Sequence, residues 1–128
     1  MHITGLYVAL AALLLLVVSL RVSLRRIAAR IPIGDGDDKE LRKRIRVQAN
    51  AVEYLPLALL LLMALEWNQT LPWILHACGI VLIVARVSHA VGLSLTSGSS
   101  PARFAGMALT WGVMLVMALL LLWQQLVR

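Results

Sequence analysis

Four apolar stretches, each long enough to cross a bilayer, fill most of this chain, and only short polar connectors separate them. A spanning helix needs about 20 mostly apolar residues at about 1.5 Å of rise each. Hydrocarbon offers no hydrogen bonds, so every backbone N–H and C=O of such a run must be satisfied within it, and the run folds as helix. A chain of 128 residues has room for four spans and little else, which makes it one domain. Charged residues make up 14% of it, against roughly 25% in a soluble domain.

The spans can be bounded from local signals. No basic residue precedes the run that starts near Ile3 and several follow it, the reverse of a cleavable signal peptide. The expectation is a retained first helix with its amino end outside, extended as an amphipathic stretch to Arg30 and stopped by Pro32 and Gly34. Residues 34–38 form a turn-rich connector, and Asp37 with Glu40 three residues later has the form of a capping box. Pro72 and Pro101 suit the first turns of the third and fourth helices, where a missing N–H costs nothing. The four helices are thus expected at about 3–30, 38–66, 72–95 and 101–124, with a polar loop at 96–100 before the last. Pro56, inside the second, leaves the carbonyl of Val52 without its usual donor, and a kink is expected there. Trp67, Trp73, Trp123 and Tyr7 would form an aromatic belt at the outer interface. The fold class expected is an all-α integral membrane four-helix bundle of left-handed up-down topology.

Charge is distributed as a membrane topology signal. Nine of the twelve Lys and Arg lie between positions 21 and 46, namely Arg21, Arg25, Arg26, Arg30, Lys39, Arg42, Lys43, Arg44 and Arg46. Such clustering places the 21–46 loop in the cytosol with both termini outside, and fits contact with anionic lipid headgroups better than nucleic-acid binding. Cys78 is the single cysteine, which excludes an intramolecular disulfide, and its apolar surroundings make it a small buried hydrophobe. His2, His76 and His89 share no helix face, so no metal site is expected.

The residues that call for chemistry are the polar ones inside the spans. Arg46, Asn50 and Glu53 follow i, i+4, i+7 spacing on one face of the second helix, and Arg86 and His89 share a face of the third. On an insertion scale each Leu or Val contributes about −0.3 to −0.6 kcal/mol, whereas a central charge costs about 2.5 to 3.5. The Leu and Val residues between positions 52 and 65 therefore gain only about 4 kcal/mol, and an uncompensated Glu53 would cancel most of it. Glu53 needs a partner or a polar cavity, and a structural ion pair with Arg86 is expected.

The run 46–57, with Arg46, Asn50, Glu53, Tyr54 and Pro56 in place, resembles the second-helix signature of the membrane-associated proteins in eicosanoid and glutathione metabolism, the MAPEG family, and looks closest to its short bacterial members. The Ala85–Arg86 pair of the third helix supports the resemblance, which spans essentially the whole chain. It implies a homotrimer in a bacterial inner membrane, with glutathione bound as co-substrate between subunits and apolar electrophiles or hydroperoxides as the second substrate. By position it assigns Arg30, Arg46, Gln48, Asn50, Glu53, Tyr54 and His89 to glutathione binding, and Arg103 to stabilising the catalytic thiolate. Guanidinium groups suit the two carboxylates of glutathione, and Glu53 suits its ammonium. Some relatives carry two tyrosines after the third-helix arginine; His89 and Leu93 stand there instead, which removes one contact to the ligand. Two other readings remain at this point, a non-catalytic lipid-binding scaffold on the same fold and a small proton-coupled exporter using Glu53.

Overall fold

The computed structural model describes residues 2–95 and 100–127. They form four helices, α1 (His2–Ala29), α2 (Lys39–Trp67), α3 (Pro72–Leu95) and α4 (Pro101–Val127), each long and apolar enough to cross a membrane. The expected polar loop at 96–100 lies, apart from Ser100, outside the described residues. α2 runs unbroken through Pro56 as one helix.

Short connectors force consecutive helices to run antiparallel, and hydrogen bonds lock the ends together. Ile3 N and Thr4 N in the first turn of α1 donate to the Glu66 carboxylate at the end of α2, at 3.1 and 2.8 Å. An acidic group there also meets the positive end of the helix dipole. At the same end of the bundle Asn68 Nδ2 donates to Gln124 Oε1 of α4 at 3.2 Å, and Gln124 Nε2 donates to Thr70 Oγ1 at 2.8 Å. α2 and α3 each contact every other helix, whereas α1 and α4 flank them and, among the described residues, do not touch each other.

The core lies along the α2–α3 pair. Ala51, Leu55, Ala58, Leu62 and Leu65 of α2 pack with Leu75 and Leu82 of α3, closed by Tyr7 and Ala11 from α1 and by Val113 and Met117 from α4. Leucines such as Leu13, Leu16 and Leu60 point outward and stay exposed, as a lipid-facing surface requires. Between helices in lipid the attraction comes from close packing and hydrogen bonds, so small residues mark the seams. Gly106 of α4 is such a seam: a Cβ there would lie 2.6 Å from both Ala85 O and His89 N of α3. Gly106→Ala must therefore push α4 off α3, and the expected cost is about 1–3 kcal/mol, read as a lower thermal midpoint in detergent. A midpoint equal to wild type would show that the seam has room to spare.

The connector between α1 and α2 is built from local capping. α1 ends with Ile31 N bonded to Arg26 O at 3.0 Å and Arg30 N to Ile27 O at 3.2 Å, with Arg30 in the left-handed region at φ 56°. This is a Schellman cap with arginine where glycine is usual, a conformation that costs an L-residue about 1–2 kcal/mol. The N-cap of α2 is Asp38, whose side chain accepts from Leu41 N at 2.7 Å. The capping box expected at Asp37 is not formed: Asp37 itself has φ 60° and pairs with Arg42, and Glu40 pairs with Lys43 and Arg44.

Asp38 also takes the guanidinium of Arg25, with Nη2 2.5 Å from Oδ2, and this bond, followed by that from Leu41 N, holds its carboxyl below the usual carboxylate range. A lowered folded-state value means that the contribution is complete above the ordinary carboxylate pKa of 3.8 and is lost as pH falls through the lower native value. Asp38→Asn keeps a capping oxygen but loses the charge. Its thermal midpoint is expected below that of wild type at neutral pH and to converge with it in acid. A gap independent of pH would show that the ion pair contributes nothing.

The four residues expected in an aromatic belt differ in exposure. Trp67, Trp73 and Trp123 are exposed, whereas Tyr7 is buried with its hydroxyl 2.9 Å from His76 Nδ1 and donating to His76 O at 3.1 Å. A buried phenol needs a partner for its hydroxyl, and the first turns of α3 supply it.

Candidate functional site

The polar stripe of α2 opens into a cavity of about 820 Å³ between α2 and α4, floored by α3, at the end of the bundle that carries the basic connector. Lys39, Arg42, Lys43, Arg46, Asn50, Glu53 and Tyr54 line one wall, Arg103, Phe104 and Met107 the other, and His89 and Leu93 the floor. Helical spacing explains the first wall, because positions 39, 42, 43, 46, 50 and 53 fall on one face over four turns. The stripe read from spacing begins at Arg46 and leaves out Lys39, Arg42 and Lys43, although the same periodicity reaches back to them. Phe104 and Met107 carried no such signal.

Of the residues expected to bind, the structure gathers Arg46, Asn50, Glu53, Tyr54, His89 and Arg103 around this one cavity. Gln48 is elsewhere: its Nε2 donates to Ser19 Oγ of α1 at 2.9 Å. Two residues along a helix turn it by about 200°, so Gln48 cannot share the face of Arg46. Arg30 also lies apart, at the end of α1, where it lines a different cavity.

The expected ion pair between Glu53 and Arg86 does not form. Arg86 is 1% exposed and bonds Asn50 Oδ1 through Nη2 and Thr110 Oγ1 through Nη1 at 3.4 Å, with its guanidinium 5.6 Å from the Tyr54 ring centroid. Glu53 is exposed toward the cavity and makes no ion pair among the described residues. Asn50 and Glu53 differ by about 60° around the helix, enough to aim the amide into the α2–α3 seam and the carboxylate out of it. Arg86 thus braces α2, α3 and α4 together through neutral acceptors and a ring face, and Glu53 keeps its charge for the cavity.

Arg103 is placed by its main chain. Its N–H donates to Ser100 Oγ at 3.1 Å, and its carbonyl lies 3.1 Å from Nδ1 of the buried His89. Since a carbonyl only accepts, Nδ1 carries the proton, which fixes the tautomer. The first turn of α4 is pressed on α3 at this point, where a Cβ on Gly92 would lie 2.5 Å from Arg103 N. The lining of the cavity holds five cationic side chains and one carboxylate. Arg42 and Lys43 are partly balanced, by Asp35 with Asp37 and by Glu40. The chemistry on offer is recognition of an anion carrying more than one acidic group and one cationic group. Among the described residues no cluster of His, Cys, Asp and Glu is arranged to hold a metal.

A family model described as the MAPEG family matches residues 4–123. The inner membrane protein YecN of Escherichia coli strain K12 is 40% identical over 121 residues, covering 94% of this chain and 91% of that protein. The protein of the same name from E. coli O6:H1 strain CFT073 matches with the same identity and coverage.

Proposed function

The chain belongs to the MAPEG family, and from that premise we propose that it is a membrane-embedded glutathione-dependent transferase or peroxidase of a bacterial inner membrane. The observation that carries the reading is the convergence of Arg46, Asn50, Glu53 and Tyr54 with Arg103 around one cavity. Glutathione has two carboxylates and one ammonium, the charge pattern that this lining complements. Arg46 and the lysines near the mouth take the carboxylates, and Glu53 takes the ammonium. Asn50, with its oxygen committed to Arg86, presents its N–H groups to a peptide carbonyl.

Arg103 supplies the activation. A free thiol has a pKa of about 8.5, and the thiolate is the nucleophile. A guanidinium in a partly dehydrated site lowers such a pKa by about 1 to 3 units, releasing the proton to water. The thiolate sulfur then forms a thioether with an electrophilic carbon as the leaving group departs. With a hydroperoxide it attacks the distal oxygen, the O–O bond breaks and the alkoxide leaves as the alcohol after taking a proton from water, and a second thiol then displaces water from the sulfenic acid to complete the disulfide. Exposed Phe104 beside Arg103 gives an apolar substrate a lateral route from the bilayer.

The same reading includes a homotrimer. Arg46 and Glu53 are exposed in the single chain, and charge facing lipid is costly, so a second copy covering this face removes the penalty. The basic connector lies on the cytosolic side with both termini outside, by charge bias.

The test is an ultraviolet difference spectrum of the purified protein titrated with glutathione, with S-methyl glutathione as control. A saturable thiolate band with glutathione only is expected. Its absence would move the reading to a lipid-binding scaffold or to a thiol other than glutathione.

A further inference from the structure

Arg42 lines the cavity one turn, about 6 Å, along α2 from Arg46, yet its guanidinium is engaged outside it. Nε donates to Asp35 Oδ2 at 2.5 Å and Nη2 to Asp37 Oδ1 at 3.2 Å, both on the connector. The other cations of that wall are held differently. Lys43 pairs with Glu40 of its own helix, and Lys39 and Arg46 form no ion pair among the described residues.

Tying down the connector does not account for the hold on Arg42, because the connector is fixed without it. Arg26 Nη1 donates to Gly34 O at 2.7 Å, Asp38 N donates to Asp35 O at 2.9 Å, and Asp38 is held by Arg25 and by Leu41 N. Asp35 Oδ1 accepts from Asp37 N at 3.1 Å, a local turn that sets the orientation of the carboxylate. Arg42 is the member free to move, since its side chain is 51% exposed. Exposed pairs of this kind are weak enough for another carboxylate to displace them. Four cations on one face over two turns also repel one another, and the aspartates balance one of them until a ligand anion does so.

Resting on the reading of this cavity as a glutathione site, we propose that Arg42 is a further carboxylate-binding residue of that site, held by Asp35 and Asp37 as stand-ins and exchanged onto the ligand's carboxylate on binding. The guanidinium trades two surface carboxylates for one inside a partly dehydrated cavity, where a two-pronged bond is stronger. Asp35 and Asp37 return to water. The connector thereby sets the affinity of the site from outside it.

The experiment is isothermal titration calorimetry of the full-length protein in non-ionic detergent with S-methyl glutathione, which keeps both carboxylates and the ammonium but has no thiol. Salt is held at about 0.15 M, where charges more than about 8 Å apart are screened. Asp35→Asn with Asp37→Asn keeps the turn, since asparagine supplies the same oxygen and tolerates the left-handed backbone at position 37. This double variant is expected to bind about two- to five-fold more tightly than wild type, and Arg42→Gln about two- to five-fold more weakly. Placed on top of Arg42→Gln, the two aspartate changes are expected to leave affinity where Arg42→Gln put it. A gain that persists without Arg42 comes from removing negative charge near an anion site, and it overturns the proposal. Affinity equal to wild type in Arg42→Gln, or in the double aspartate variant, overturns it too and leaves the thiol reading standing. No binding of S-methyl glutathione or glutathione to wild type overturns both, whereas the exchange without a thiolate band removes only the activation assigned to Arg103.

Discussion

Replacing Arg103 with alanine is expected to slow thiol transfer by about a hundred- to a thousand-fold while glutathione affinity stays within about ten-fold of wild type. The split follows from where the groups stand. On the proposed reading the ligand's carboxylates and ammonium are served by α2, through Arg46, its neighbouring lysines and Glu53, all on the opposite wall from Arg103. Arg103 is proposed to serve the sulfur, favouring the anion over the thiol. Loss of a thiol pKa depression of about 1 to 3 units removes a corresponding ten- to thousand-fold in thiolate near neutral pH. The readouts are kcat and KM with a nitroaryl electrophile together with the amplitude of the thiolate band. Arg103→Lys keeps the charge but not the planar fork and is expected to fall between the two. Turnover and band both unchanged in Arg103→Ala would remove this residue from the chemistry.

The fold was largely legible because membrane helices are set by length and hydropathy, which the sequence carries directly. The expected spans at 72–95 and 38–66 compare with Pro72–Leu95 and Lys39–Trp67. Prolines at first turns and the acidic connector mark those starts without ambiguity. Details decided by backbone dihedrals were less legible. Asp37 and Asp38 are chemically identical candidates for the N-cap, and only the left-handed turn at Asp37 leaves the task to its neighbour. Tyr7 shows the same limit: an exposed and a buried tyrosine have one composition, and the choice rests on whether a partner such as His76 stands within reach.

The candidate site was legible along one helix and poorly legible between helices. Spacing on α2 groups Arg46, Asn50 and Glu53 correctly, since periodicity is a one-dimensional property. Which of them meets Arg86 depends on how α3 is rotated and how far it has slid against α2, and a sequence does not encode either in its periodicity. Opposite charge favours Glu53 in that contest, and geometry favours Asn50. Gln48, assigned to the ligand by resemblance, stands on another face of α2 than Arg46, so within one chain the two do not line the same cavity.

The second large effect expected is energetic coupling between Asn50 and Arg86. Arg86 is fully buried, with Asn50 Oδ1, Thr110 Oγ1 and the face of Tyr54 around its guanidinium. Removing either member of a buried hydrogen-bonded pair leaves the other unsatisfied, and when one member is charged the cost reaches about 3–5 kcal/mol. Removing both leaves no orphan, and apolar replacements of similar volume restore packing. Arg86→Leu and Asn50→Leu are therefore each expected to lower stability by about 2–4 kcal/mol, and the double variant by no more than the worse single. In the parallel cycle of Glu53→Gln with Arg86→Leu, the coupling is expected below about 0.5 kcal/mol, because the carboxylate faces the cavity rather than the guanidinium. Unfolding in a lipid-like detergent with added denaturant measures both cycles. Strong coupling in the second and none in the first would mean that Arg86 rests on Glu53. The cavity would then lose its one carboxylate for an ammonium ligand, and with it the charge pattern on which the proposed thiol site depends.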